Sequence, residues 1–222
     1  VYTMVREAKG APMPVGQFGA KSGFDMKRRT SVPESQGEAT MNYFIFENKT
    51  KVYFGRGGVR EYLGCLLKKY GGTVMLAYGG GSTWKNGVYD EVMGILTDAG
   101  KTVAEFGGIM PNPTYAKVQE GARLAKERNV DLILAVGGGS VSDCCKIISA
   151  QAKTADDIWD MQYTKRTYPT AFIPLGTIVT VFGTGSEMNA GAVITNEDKK
   201  IKGALFGAQA DFAFLDPTYS MS

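Results

Sequence analysis

Four consecutive residues, Gly137-Gly138-Gly139-Ser140, with Asp143 and Lys146 just beyond, are the part of this 222-residue sequence best suited to chemistry. They stand between an apolar run that reads as a buried strand and a stretch with helical spacing. Glycines at the carboxyl end of a parallel strand let the backbone approach a phosphate closely. The helix opening at Val141 presents unpaired N–H groups and a partial positive charge to that phosphate. Ser140 either caps the helix or bonds a phosphate oxygen. A strand–helix turn that binds nothing needs fewer than three glycines, so phosphate binding is the favoured reading.

Upstream, Leu76-Ala77-Tyr78-Gly79-Gly80-Gly81-Ser82 nearly repeats Leu134-Ala135-Val136-Gly137-Gly138-Gly139-Ser140. Enzymes that prefer NAD place an acidic side chain on the adenosine ribose hydroxyls at such a strand end. Here Gly79, Gly80 and Ser82 are small and uncharged, with Lys85 close behind. A 2′-phosphate would meet hydroxyl, amide and ammonium donors and no repulsion; a plain loop is the alternative. Gly183-Thr184-Gly185-Ser186-Glu187, after Thr177 and Thr180, suits a second anion or ribose contact and a turn equally. Pro111-Asn112-Pro113 fixes a rigid loop at another strand end. Trp159–Tyr168 reads as a surface flap packed on the core.

The residue types also exclude several chemistries. The sequence contains no His, so it holds no Ser-His-Asp triad, His general base or His-ligated metal. No nucleophile–base pair assembles from the other types, and neither a catalytic residue nor a metal ligand is assigned. Cys65, Cys144 and Cys145 form neither a disulfide framework nor a metal clip and are expected as buried small hydrophobes. A helix N-terminus would lower the thiol pKa at Cys144 and Cys145, but burial on the sheet argues against catalysis. Lys and Arg number 25 against 22 Asp and Glu, a net charge of +3, and they are scattered, so no nucleic-acid partner is expected. No apolar stretch reaches the roughly 18 residues of a membrane span, and no signal-peptide core precedes the domain. A soluble, cytoplasmic protein with no membrane partner is expected.

The elements that must position these residues begin after an unusual start. Residues 1–40 contain neither Leu nor Ile, and are expected to be a disordered or appended leader. Residues 41–222 are left as a dinucleotide-binding α/β domain. Strands are predicted at Tyr43–Phe46, Lys51–Phe54, Thr73–Tyr78, Thr102–Phe106 and Asp131–Val136, then at Ala171–Pro174 and Phe212–Leu215 after a polar loop near 153–168. Helices are predicted at Val59–Tyr70, Val88–Leu96, Tyr115–Arg128 and Val141–Ala150. Continuous apolar strands alternating with amphipathic helices predict a Rossmann-like parallel sheet with helices on both faces.

Five segments in order, YGGGS (78–82), EFGGIMPNP (105–113), LAVGGGSVSDCCK (134–146), GTGSEMNAGAVI (183–194) and FLDPTYS (214–220), together resemble a known family. The sequence from Met41 to Ser222 is similar to the iron-containing (group III) alcohol dehydrogenases, of dehydroquinate-synthase-like fold, in their NADPH-dependent butanol dehydrogenase and aldehyde reductase branch. The resemblance implies that Gly79, Gly80 and Ser82 hold the adenosine ribose and 2′-phosphate of NADP(H). It implies that Gly137, Gly138, Gly139 and Ser140 bind the pyrophosphate, Asn112 lines the cleft and Asp143 lies near the nicotinamide. Thr180, Asn189 and Lys202 would complete the shell, with Tyr219 at its far edge.

In the family a helical domain carrying an Asp and His ligands for a divalent metal, iron or zinc, follows the Leu-Asp-Pro segment. Here Leu215-Asp216-Pro217 is followed by five residues and no His. The chain is therefore expected to be the cofactor-binding half, inactive alone, with Asp216 turning or capping the backbone. The resemblance implies small primary alcohols or aldehydes as substrates and a homodimer for the full-length enzyme. A metal-dependent lyase of the same fold and a non-catalytic nucleotide-binding fragment are the other readings.

Overall fold

The computed structural model describes residues 47–80 and 87–220. The leader at 1–40, the strand expected at Tyr43–Phe46, and Ser82 and Lys85 lie outside the described residues. Six strands, β1 (Lys51–Phe54), β2 (Thr73–Tyr78), β3 (Thr102–Phe106), β4 (Leu132–Gly137), β5 (Leu175–Val179) and β8 (Phe212–Leu215), form one parallel sheet in the order β1-β8-β5-β4-β2-β3. The remaining two, β6 (Gly191–Asn196) and β7 (Ile201–Phe206), make a separate antiparallel hairpin.

Side chains alternate across the strands, so each strand feeds two cores. Met75, Ala77, Ile133 and Ala135 face α3 (Tyr115–Glu127) and α4 (Gly139–Gln151), burying Val118, Ala125, Cys144, Cys145, Ile147 and Ile148. Val74, Leu76, Leu132, Leu134 and Ile178 face α1 (Gly58–Leu67) and α2 (Val88–Asp98), burying Leu63, Leu67, Val92 and Leu96. Thr114 starts α3 by accepting the Lys117 amide at 3.2 Å, satisfying a donor that the helix cannot. The parallel sheet with helices on both faces is as the apolar runs predict.

Four local expectations are corrected. The helix after β4 opens at Gly139, with Gly138 as its cap, so Ser140 sits in the first turn and does not cap it. The strand placed at Ala171–Pro174 begins at Leu175 instead; Pro174 has no N–H for a ladder and contributes only its carbonyl, to the Ile133 amide. Trp159 is no surface flap. It is 1% exposed, on the short helix α5 (Ile158–Tyr163) capped by Asp157, stacked on Tyr163 with ring centroids 4.8 Å apart. Cys144 and Cys145 are buried as expected, but Cys65 is exposed. Among the described residues no helix is long and apolar enough to cross a membrane.

Candidate functional site

The chain runs from β2 outward to β3, then returns to the other side of β2 for β4. Strand order therefore reverses between β2 and β4, and ligands of open α/β sheets bind beyond the carboxyl ends at such a point. Here a cleft of about 550 Å3 opens, lined by Gly80 after β2 and by Gly138, Gly139 and Ser140 after β4. The loop after β3 contributes Ile109, Asn112 and Pro113, the loop after β5 Val181 and Thr184, and the hairpin Val193 and Lys202.

The three glycines of the second motif serve different ends. Gly137 has φ 157°, and a Cβ there would come within 2.6 Å of Val141 Cγ2, so it lets the helix turn back tightly. A Cβ at Gly139 would meet Thr184 Oγ1 at 2.8 Å, so this glycine admits the 183–189 loop. Gly138 has an ordinary φ of −89° and a Cβ there would reach only Val181, at 3.4 Å. The first-turn amides of α4, at Gly139 and Ser140, border the cleft where a helix leaves its N–H groups without intrahelical acceptors. A bare backbone, a helix N-terminus and the Lys202 ammonium around one cavity suit a phosphate-bearing, elongated ligand.

Asn112, at φ 54°, accepts a hydrogen bond from Lys202 Nζ at 2.6 Å across the cleft. Its loop is pinned twice: the Ile109 amide donates to the Tyr78 carbonyl, and the Thr195 amide donates to the Pro113 carbonyl. Asp143 lines the cleft; its carboxylate accepts the Ser186 hydroxyl at 2.5 Å and the Val193 amide at 2.9 Å. Beneath it Lys146 is fully buried, and that burial lowers its pKa against the raising effect of Asp143. Its Nζ donates to Ser186 Oγ at 2.8 Å, Asn189 Oδ1 at 3.1 Å and the Gly191 carbonyl at 2.6 Å.

The cleft thus brings together Gly80, Asn112, Gly138, Gly139, Ser140, Asp143 and Lys202. Other residues assigned through the resemblance stand back from it. Gly79 lies where a Cβ would press on the Ile109 carbonyl at 3.2 Å. Thr180 is buried after β5, its amide donating to the Gly137 carbonyl. Asn189 braces its own loop, its amide donating to the Gly185 carbonyl. Tyr219 is buried with the α1 and α2 core, its hydroxyl donating to Glu91 at 2.9 Å. Ser186 was legible only as one of several loop hydroxyls. Lys146 had a clearer signal: a lysine one turn after Asp143, flanked by Cys144, Cys145, Ile147 and Ile148.

Burial pushes Cys144 up to about 12 and Cys145 well above its ordinary value, so the helix N-terminus does not activate either. Asp216 turns the backbone as expected, accepting from the Thr218 amide and hydroxyl at 2.9 and 2.7 Å and from the Gly57 amide at 2.5 Å. Among the described residues no three His, Cys, Asp or Glu side chains converge on one point. The donor set present therefore does not fit an iron or zinc ion.

A sequence profile described as "Iron-containing alcohol dehydrogenase" matches residues 49–217. The "Probable NADH-dependent butanol dehydrogenase 1" of Bacillus subtilis is 50% identical over 162 residues, covering 73% of this chain and 41% of that protein. The "NADPH-dependent aldehyde reductase YqhD" of Escherichia coli is 41% identical over 187 residues, covering 81% of this chain and 46% of that protein. Among solved structures, the NADH-dependent butanol dehydrogenase A of Thermotoga maritima superposes with a TM-score of 0.74 at 38% identity, covering 81% of this chain and 46% of that one. The chain spans about half the length of the relatives it matches. With the glycine-lined cleft at the strand-order reversal, these likenesses place the chain in the iron-containing alcohol dehydrogenase family.

Proposed function

We propose that this chain is the cofactor-binding portion of an NADP(H)-dependent alcohol dehydrogenase or aldehyde reductase acting on small primary alcohols and aldehydes in the cytoplasm. The observation that carries this reading is the convergence of two glycine-rich strand ends, at Gly80 and at Gly138–Ser140, on one cleft that also holds Lys202. The first-turn amides of α4 hold the pyrophosphate. Gly80, exposed and bare of side chain, admits the adenosine ribose and its 2′-phosphate, and Lys202 and Asn112 close over the ligand from the opposite wall. Asp143 stands toward the nicotinamide. When bound, that ring supplies or accepts the hydride, and these residues hold it in place while the cleft walls keep water off it. No step is assigned to a metal, since the donor set of the described residues does not fit one.

Preference for NADPH rests on the lack of an acidic side chain at Gly79 and Gly80; the Bacillus subtilis relative's name points to NADH instead. Fluorescence titration of the purified chain with each dinucleotide tests both points. Gly80→Asp should weaken NADPH roughly ten-fold by charge repulsion and leave NADH nearly unchanged. A Cβ at Gly80 has open space around it, so the fold should tolerate the change. Equal losses for both cofactors would remove this loop from the 2′-phosphate site. Tighter NADH than NADPH binding by the wild-type chain would reverse the preference and leave the dehydrogenase reading intact.

A further inference from the structure

A lysine with no exposure at all is rare unless it is well paired. Lys146 is such a residue, on the core-facing side of α4. Its ammonium is not held mainly by the carboxylate it pairs with, since Asp143 Oδ1 is 3.6 Å away. It is held by Ser186 Oγ, Asn189 Oδ1 and the Gly191 carbonyl, all in the segment between β5 and the hairpin. Asn48, Gln209 and the Gly207 amide hold that segment at Met188 and Ala190, but among the described residues its polar ties to α4 come from Lys146 and Asp143. Gly183 and Gly185, both at positive φ, with one short 3₁₀ turn leave it little regular structure of its own. Asp143 repeats the same connection at the cleft surface, from Ser186 to the Val193 amide.

We infer that Lys146 is a positioning residue for the nicotinamide end of the cleft. Its ammonium pins the 183–191 segment to the phosphate-binding helix, and through Ser186 it fixes the orientation of Asp143. By holding Gly191 it also sets the start of the hairpin, whose second strand carries Lys202 to Asn112. The pyrophosphate end depends on backbone at Gly138–Ser140, which Lys146 does not touch. The inference rests on the cofactor reading above and deepens it: one buried charge orders half of the site and leaves the other half alone.

The test compares wild type with Lys146→Met, which keeps the length and volume of the side chain and removes the charge. Each is titrated with ADP by isothermal calorimetry and with NADPH by the emission of the bound nicotinamide, and each is melted. The expected result is a cooperative melt, ADP affinity within two-fold of wild type, NADPH affinity lower by ten-fold or more, and loss of the emission shift on binding. If ADP and NADPH affinities fall together, Lys146 is merely structural and the inference fails. It fails equally if Lys146→Met binds NADPH as wild type does. Should Lys146→Met not melt cooperatively, Lys146→Gln, which retains a donor, is titrated in its place, and the same two results overturn the inference. A wild-type chain that binds ADP and neither dinucleotide overturns the functional reading itself, and the inference with it.

Discussion

Gly138 differs from the glycines on either side in what a side chain would meet. At Gly137 and Gly139 a Cβ collides with Val141 or Thr184, so those positions serve packing. At Gly138 it meets only Val181, itself 60% exposed and free to move aside. Gly138→Val should therefore leave the far-ultraviolet circular dichroism unchanged and abolish binding of both NADPH and NADH, because the branched side chain fills the space a pyrophosphate needs. An unfolded variant would show that this glycine serves the turn. The run of glycines and its place before a helix were plain in the sequence. Which of them faces a ligand was not, since that depends on Thr184 and Val181 arriving from a distant loop. Asn189 and Tyr219 show the same limit: motif position placed them in the cofactor shell, but it did not show that Asn189 also braces its own loop or that Tyr219 is buried with its hydroxyl on Glu91.

Between elements, Asp216 ties the end of β8 to the start of α1, a helix whose cap residue Gly57 offers no side chain of its own. Burial pushes its carboxyl up, but the hydrogen bonds from Thr218 and Gly57 outweigh this and hold it below the usual carboxylate range. A carboxyl with a lowered folded-state pKa stabilises the fold fully above its unfolded value of about 3.9, and the contribution disappears as pH falls through the folded value. Asp216→Asn should cost about 1–3 kcal/mol near neutral pH, and its deficit against wild type should shrink in melts taken progressively below pH 4. A deficit constant with pH would mean that the carboxylate charge contributes nothing. Most elements were legible because β2 and β4 are continuous apolar runs and the helices have clean stripes. The hairpin was missed although β6 alternates buried and less buried positions and Glu197–Lys200 make a polar turn. Gly191 continues the glycine-rich stretch from 183, and that composition masked the period of two. The α5 helix was missed for the opposite reason: six residues are too few to show a helical period.

Across the whole molecule, the cleft lining leaves Val181 and Val193 exposed, and Phe182, next in the chain to Val181, is exposed too. No His occurs in the sequence and the described carboxylates and thiols do not converge, so among the described residues no metal-binding set is available to stabilise the negative charge that develops on an aldehyde oxygen. The purified 222-residue chain should give no NADPH oxidation with butyraldehyde above the buffer rate, while its light scattering rises with concentration through the exposed apolar side chains. Turnover abolished by a chelator would refute this and direct attention to ligands outside the described residues. Family and sheet were readable at this scale because five motifs in a fixed order are specific together. The sheet's strand order carries one more consequence. Among the described residues β1 pairs only with β8, Lys51 opposite Phe212 through Phe54 opposite Leu215. As the chain leaves the ribosome, β1 has no partner until nearly all of the domain has been made. Closing that ladder is the most non-local pairing in the described sheet, and it should come late in folding. Until then β1 is an unpaired strand carrying Tyr53 and an exposed Phe54, which makes it a segment in need of chaperone cover during synthesis.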